Sequence, residues 1–292
     1  MKNKIDKTAK PGIGELDDWL RKKEASNPGI VQGTEKTIVW ASEAGKKTSL
    51  SIVYIHGFTA TRQEIAPVCN EIAKKLKANL FYTRLRGHGQ GGEVLKNAKL
   101  KDWLYDTGEA YAVGNSIGDN VILVGYSTGA PLAAWLAADC KNIAALIVLS
   151  PNFGLADKKA NLLLLPGGRL LARIMLGKYF TQFKPVNSLH EKYWTPRYRS
   201  QAIHTMMKSV QLIKKIDLKS IKIPVLCVYS ENDDVLSFPA IEHVFALLGS
   251  DRKFIVNFKD AKSHMLAGDI VSPFTTEKFI DLLMDFLNKQ VL

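Results

Sequence analysis

The sequence predicts an open, mostly parallel α/β sheet with helices on both faces and a helical insertion across one end. Three observations predict it. Short, almost uninterrupted apolar runs read as strands buried on both faces, as the strands of parallel sheets are. Between them lie longer stretches with apolar residues at helical spacing, so strand and helix alternate. That alternation stops once, over residues 152–215, and then resumes. At 292 residues the chain holds one or two domains and buries enough surface to need neither disulfide nor metal for stability.

The elements follow in order. Residues 1–36 read as an N-terminal arm, with Leu16, Trp19 and Leu20 marking a short helix. Thr37 to Trp40 is an early strand and Ser51 to Ile55 the first with a fully apolar core. Ile65, Val68, Cys69, Ile72 and Leu76 recur on one helical face. Leu80 to Thr83 is a strand, Leu100 to Ser116 a helix, Val121 to Val124 a strand, and Pro131 to Asp139 an alanine-rich helix able to lie close to it. Ala145 to Leu149 is another buried strand. Within 152–215 come Leu162 to Leu165, a Pro166-Gly167-Gly168 break, and an amphipathic stretch with Leu170, Leu171, Ile174 and Met175. The rhythm returns with a strand over 224–229, a helix from Pro239 to Leu248, a strand at Phe254 to Val256, and a closing helix carrying Phe279, Leu283, Phe286 and Leu287. The catalytic domain is thus expected over 37–151 and 216–292, with 152–215 as a cap.

Charge narrows the partners. The net charge is +12, and ten of those charges fall in 152–215, where twelve lysines and arginines face only Asp157 and Glu191. An apolar cap ringed with basic groups points to an anionic lipid surface as a partner. Nucleic acid is not expected, because the basic residues form no recognised motif. No apolar run reaches the roughly 20 residues of a membrane-spanning helix. Met1 to Lys10 is basic but is followed by Pro11, Gly12 and Gly14 where a signal peptide would have its apolar core. With three scattered cysteines, Cys69, Cys140 and Cys227, this points to the cytoplasm.

The chemistry starts at Gly125-Tyr126-Ser127-Thr128-Gly129, a G-x-S-x-G that leaves one predicted strand and enters the next helix. A strained turn there lifts the serine oxygen above the sheet, and the flanking glycines let backbones pass where side chains would collide. His56-Gly57-Phe58 sits at the end of an earlier strand, where the Phe58 N–H can converge with that of Thr128 into an oxyanion hole. A serine nucleophile needs a base, and the base an orienting carboxylate. Of six histidines, His243 lies in a helical pattern, His190 and His204 in the insertion, and His56 and His88 in glycine turns. His264 lies in the loop after the last strand, on the crevice side of such a sheet, and is the expected base. The loop after 225–229 offers Glu231, Asp233 and Asp234; Asp233 is the expected acid and Asp234 the next choice.

The order Ser127, Asp233, His264 is that of the α/β-hydrolases, and the chain resembles that superfamily over roughly residues 37–290. It is similar to the group of carboxylesterases, monoacylglycerol lipases and serine aminopeptidase-type hydrolases. The resemblance rests on His56-Gly57-Phe58, the turn Arg84 to Gly89, the G-x-S-x-G, Ser230 to Val235, and Ser263-His264-Met265. The family's aspartate is followed by x-V, which fits Asp233 and Val235. The chain departs from the family's D-x-x-G-H-G-x-S turn by carrying Arg84 for the aspartate and Gly91 for the serine.

The resemblance implies an α/β-hydrolase fold and a serine esterase that cleaves a small-molecule carboxylic ester, acyl or monoacylglycerol-like, through an acyl-enzyme. No cofactor or metal is called for, since no H-E-x-x-H or comparable ligand set appears. The alternatives are a peptidase or amidase of the same fold, for which the cap offers only Asp157 and Glu191 as carboxylates, and a non-catalytic hydrolase-like binding protein.

Overall fold

A computed structural model describes residues 11–292; the first ten residues of the expected arm, with its basic stretch, lie outside them. The chain runs through α1 (Leu16–Ala25), β1 (Thr37–Val39), β2 (Thr48–Ile55), α2 (Ala66–Leu76), β3 (Asn79–Tyr82), α3 (Gly92–Leu95), α4 (Leu100–Ile117), β4 (Gly118–Tyr126), α5 (Gly129–Asp139) and β5 (Ile143–Leu149). Within 152–215 come α6 (Gly168–Leu176), β6 (Tyr179–Thr181), α7 (Ser188–Tyr193), β7 (Arg197–Arg199) and α8 (Ala202–Leu212). Then β8 (Val225–Tyr229), α9 (Phe238–Leu247), β9 (Lys253–Asn257) and α10 (Thr276–Gln290) complete it.

Among the described residues seven strands form one sheet in the order β1-β3-β2-β4-β5-β8-β9. Only β1 is antiparallel to its neighbour, with Thr37 opposite Tyr82. The fold is that of the α/β-hydrolases. The strand side chains alternate between two cores. Val53, Ile55, Val121, Leu123, Leu146, Val148, Val225 and Cys227 enter the core shared with α4, α5 and α8. Ile52, Tyr54, Ile122, Val124, Ala145, Ile147, Leu226 and Val228 enter the one closed by α2 and α10. Each strand is therefore apolar on both faces, which is why it reads as an unbroken run.

The 152–215 segment divides by exposure. In α8, Met206, Met207, Val210 and Leu212 are buried in the main core. In α6 only Gly168 and Ala172 are buried, and its apolar residues Leu170, Ile174 and Met175 face solvent at 48–71% exposure. Leu162 and Leu165 are exposed too. Strands β6 and β7 pair as a short hairpin. The hairpin and α7 sit near the β2 end of the sheet: Thr195 donates its N–H to Thr59 O at 2.8 Å, and the Tyr198 ring meets Phe58 edge-on at 5.2 Å. Among the described residues no helix is long and apolar enough to cross a membrane.

The arm is tied down by charge. Glu24 of α1 receives Arg84 in a two-pronged pair, Nε to Oε2 at 2.7 Å and Nη2 to Oε1 at 2.9 Å, and both residues are buried. Lys36 meets Asp106 and Glu109 of α4 at 2.7 Å each, and Lys23 also reaches Glu109.

Candidate active site

The residues singled out from sequence all lie at the carboxyl ends of parallel strands, where an open α/β sheet forms its crevice. Ser127 follows β4, the central strand, and takes φ +48°, a left-handed conformation that costs a non-glycine residue of order 1–3 kcal/mol. Its neighbours hold it there: Ser127 N donates to Leu149 O at 2.8 Å, and Asn152 N donates to Ser127 O at 3.1 Å. The two glycines of the motif are required sterically. A methyl group on Gly129 would lie 2.0 Å from Ile55 O, and one on Gly125 2.6 Å from Gly129 O.

His264 and Asp233 are brought together across 31 residues. His264 Nδ1 donates to Asp233 Oδ2 at 2.7 Å, and the Asp233 side chain is fully buried while the imidazole is 23% exposed. Asp233 Oδ1 accepts from Val235 N at 2.9 Å, which fixes the carboxylate plane. Asp234 and Glu231 point to solvent. The His264 backbone is held as well: its carbonyl accepts from Tyr126 Oη at 2.9 Å and from Ser150 Oγ at 2.8 Å. Since Tyr126 precedes Ser127, the imidazole loop is anchored to the serine turn itself. Ser127 Oγ makes no hydrogen bond among the described residues.

The 56–58 loop lies against this turn. A methyl group on Gly57 would come within 3.3 Å of Ser127 Cβ. The backbone N–H groups of Phe58 and Thr128, in the loop and the turn that meet there, have no hydrogen-bond partner among the described residues. His56 itself is structural. Its Nε2 accepts from Leu85 N at 3.0 Å, so Nδ1 donates to Gly57 O at 2.8 Å, and burial lowers its pKa to about 4. His88 packs edge-on against it at 4.8 Å, and burial pushes it well below the usual histidine range too. Of the remaining histidines, His190 stacks on Phe183 at 4.7 Å, His204 bonds Leu163 O, and His243 is exposed. Asp157 and Glu191 are exposed on the insertion.

One carboxyl at the site escapes the sequence reading. Glu64 is 3% exposed, and its Oε1 accepts from Tyr54 Oη at 2.5 Å and from Gly57 N at 2.7 Å. Burial raises it to about 7. Thr61-Arg62-Gln63-Glu64 has the spacing of a helix-capping box, in which the glutamate would fold back locally. That local pattern hides its long-range role, and no sequence signal separates the two.

The comparisons agree with this architecture. Residues 46–270 match the sequence profile of the serine aminopeptidase S33 hydrolases. A thermostable monoacylglycerol lipase of Bacillus sp. (strain H-257) is 23% identical over 234 residues, covering 80% of this chain and 89% of its own. Among solved structures, one from the work on the metagenome-derived lipolytic enzymes LipS and LipT superimposes with TM-score 0.71 at 18% identity, over 89% of this chain and 100% of that one. A monoacylglycerol lipase of Paleococcus ferrophilus gives 0.64 at 15% identity, over 87% and 99%. A soluble variant of the Saccharomyces cerevisiae monoglyceride lipase gives 0.65 at 13% identity, over 88% and 92%.

Proposed function

Because the chain belongs to the serine aminopeptidase S33 family of hydrolases, we propose that it is a carboxylic ester hydrolase working through an acyl-enzyme. The carrying observation is the 2.7 Å bond from His264 Nδ1 to the buried Asp233, beside a serine held at φ +48°. That bond puts the Nδ1 proton on the carboxylate side and leaves Nε2 free as the base. His264 takes the Ser127 proton as the serine attacks the ester carbonyl; catalytic hydrogen bonds of this kind tighten when substrate is bound. The N–H groups of Phe58 and Thr128 receive the oxyanion, His264 returns the proton to the leaving alcohol, and water then cleaves the acyl group by the same steps in reverse. Monoacylglycerol-like esters are the favoured substrates, given the Bacillus lipase relative.

The test is active-site labelling followed by peptide mapping. A fluorophosphonate should modify Ser127 alone, and Ser127→Ala should abolish hydrolysis of p-nitrophenyl butyrate. A label on another serine, or an active Ser127→Ala protein, refutes the assignment.

Residues 152–215 serve as the cap in this reading, and the cap supplies a second partner. Leu162, Leu165, Leu170, Ile174 and Met175 are exposed among the exposed basic residues Lys158, Lys159, Arg173 and Lys178. An apolar face edged with cations fits an anionic membrane surface, where each basic group contributes about 1 kcal/mol. Sedimentation with anionic and neutral liposomes at low and high salt tests it: binding should need anionic lipid and weaken with salt. Equal binding to both, or none, removes the membrane partner and leaves the esterase reading standing. The buried thiols of Cys69 and Cys227 suit the reducing cytoplasm.

A further inference from the structure

Glu64 is a buried carboxyl that the proposed hydrolysis does not use. It sits on a single helical turn, residues 62–64, that Thr61 caps through Gln63 N. From there the carboxyl enters the space between four pieces of the site. Tyr54, at the end of β2, donates to Oε1, and so does the Gly57 N–H. Oε2 lies 3.2 Å from a methyl position on Gly57, the same position that comes within 3.3 Å of Ser127 Cβ. On its main-chain side, a methyl group on Gly268 would lie 2.3 Å from Glu64 O, so the loop carrying His264 crosses directly over this residue.

The titratable groups facing it are Tyr54 from β2, Cys69 from α2, Tyr126 from β4 and His264 from the loop after β9. Of these, His264 is the one that gains positive charge in the reaction. An ionised Glu64 would therefore favour the imidazolium, and it would grip the Gly57 N–H more tightly than a neutral acid, since charge-assisted bonds are roughly twice as strong.

Gly57 and Phe58 are consecutive. Holding the Gly57 N–H on Glu64 fixes the peptide plane that joins His56 to Gly57; the His56 Nδ1 bond to Gly57 O fixes the next plane, which carries the Phe58 N–H, so the two bonds together set the direction of that N–H. We propose that Glu64 is a positioning residue for ester hydrolysis, holding the 56–58 loop in place through Gly57 so that the Phe58 N–H is aimed at the oxyanion. The proposal rests on the serine esterase reading and adds to it a residue that touches neither substrate nor the reacting atoms.

The test compares wild type, Glu64→Gln and Glu64→Ala on p-nitrophenyl butyrate from pH 5.5 to 9, with fluorophosphonate labelling and a thermal melt for each. Glu64→Ala should lose roughly 10- to 100-fold in kcat at unchanged KM, since losing an oxyanion donor outright costs roughly 100- to 1000-fold. Glu64→Gln keeps an acceptor for the Gly57 amide and should recover most of that kcat. It should also lack one ionisation near neutrality that the wild-type kcat profile shows. A purely structural role would lower the melting temperature and leave KM, kcat of the folded protein and the pH profile alone. Wild-type kcat in folded Glu64→Ala, or identical pH profiles for wild type and Glu64→Gln, overturns the proposal while Ser127 labelling still stands. A wild type that neither labels nor hydrolyses removes the esterase reading, and this proposal with it.

Discussion

Arg84 occupies the position where the related turn carries aspartate, and replacing it with aspartate should unfold the protein far more readily. Both members of its pair are shielded: Arg84 is 3% exposed and Glu24 7%. The two oxygens of Glu24 take Nε and Nη2, and Nη1 reaches His88 O and Gln90 Oε1 at 3.2 Å each. Breaking a buried pair by removing one partner typically costs about 3–5 kcal/mol, because the other charge stays buried and uncompensated. Arg84→Asp adds a second carboxylate facing the first, so the upper end applies. With roughly 2.1 cal/mol/K of unfolding entropy per residue, a chain of 292 residues loses about 1.6 °C for each kcal/mol. The expected fall in Tm is therefore about 8 °C, read by calorimetry at pH 7. Removing both partners, as Glu24→Leu with Arg84→Met, should recover more than half of it, because the desolvation penalty leaves with the charges. A fall in Tm for Arg84→Asp below roughly 2 °C, or a double variant no better than the single one, would refute the reasoning.

Other outcomes follow from the same structure. Asp233→Asn should lower kcat by roughly 10⁴-fold, as loss of the orienting carboxylate does in other triads, whereas exposed Asp234→Asn should stay within about threefold; steady-state hydrolysis by the two variants decides between the acids. Glu64 holds its proton more tightly when folded, about 7 against 4.5, so its stabilisation is complete below pH 4.5 and is lost as pH rises to about 7. His56, depressed to about 4, acts in the opposite sense between pH 6.5 and 4. The stability of wild type minus that of Glu64→Gln, from urea titrations, cancels the histidine contribution and should drop by about 3 kcal/mol between pH 4.5 and 7; a flat difference would mean that folding does not raise the Glu64 pKa. Changing Leu165, Leu170, Ile174 and Met175 together to serine should lower Tm by no more than roughly 3 °C, since exposed positions contribute about 0.5 kcal/mol each. It should shift hydrolysis toward shorter acyl esters; an unchanged chain-length profile would mean these side chains never meet the acyl group.

What the sequence determined by itself is what depends on near neighbours along the chain. The strands announce themselves because each must be apolar on both faces, and the turn around Ser127 because Gly125 and Gly129 leave no room for a side chain. The turn at Ser127 and the 56–58 loop at the end of β2 were legible for that reason. Tertiary structure decided everything set by approach across the fold. The x-V after Asp233 favours it over Asp234 in the sequence, but only packing buries Asp233 against His264 and leaves Asp234 in water. Leu170, Ile174 and Met175 read as one apolar face at helical spacing, and only the fold shows that α6 turns Ala172 inward and leaves them in solvent. Glu64 reads as a helix cap until Gly57 and Tyr54 are seen to claim its oxygen. Arg84 reads as a departure from pattern until Glu24, 60 residues earlier, arrives beside it. Periodicity and turn chemistry are local and survive in one dimension; the pairing of charges and the burial of a carboxyl depend on distances that exist only once the chain has closed on itself.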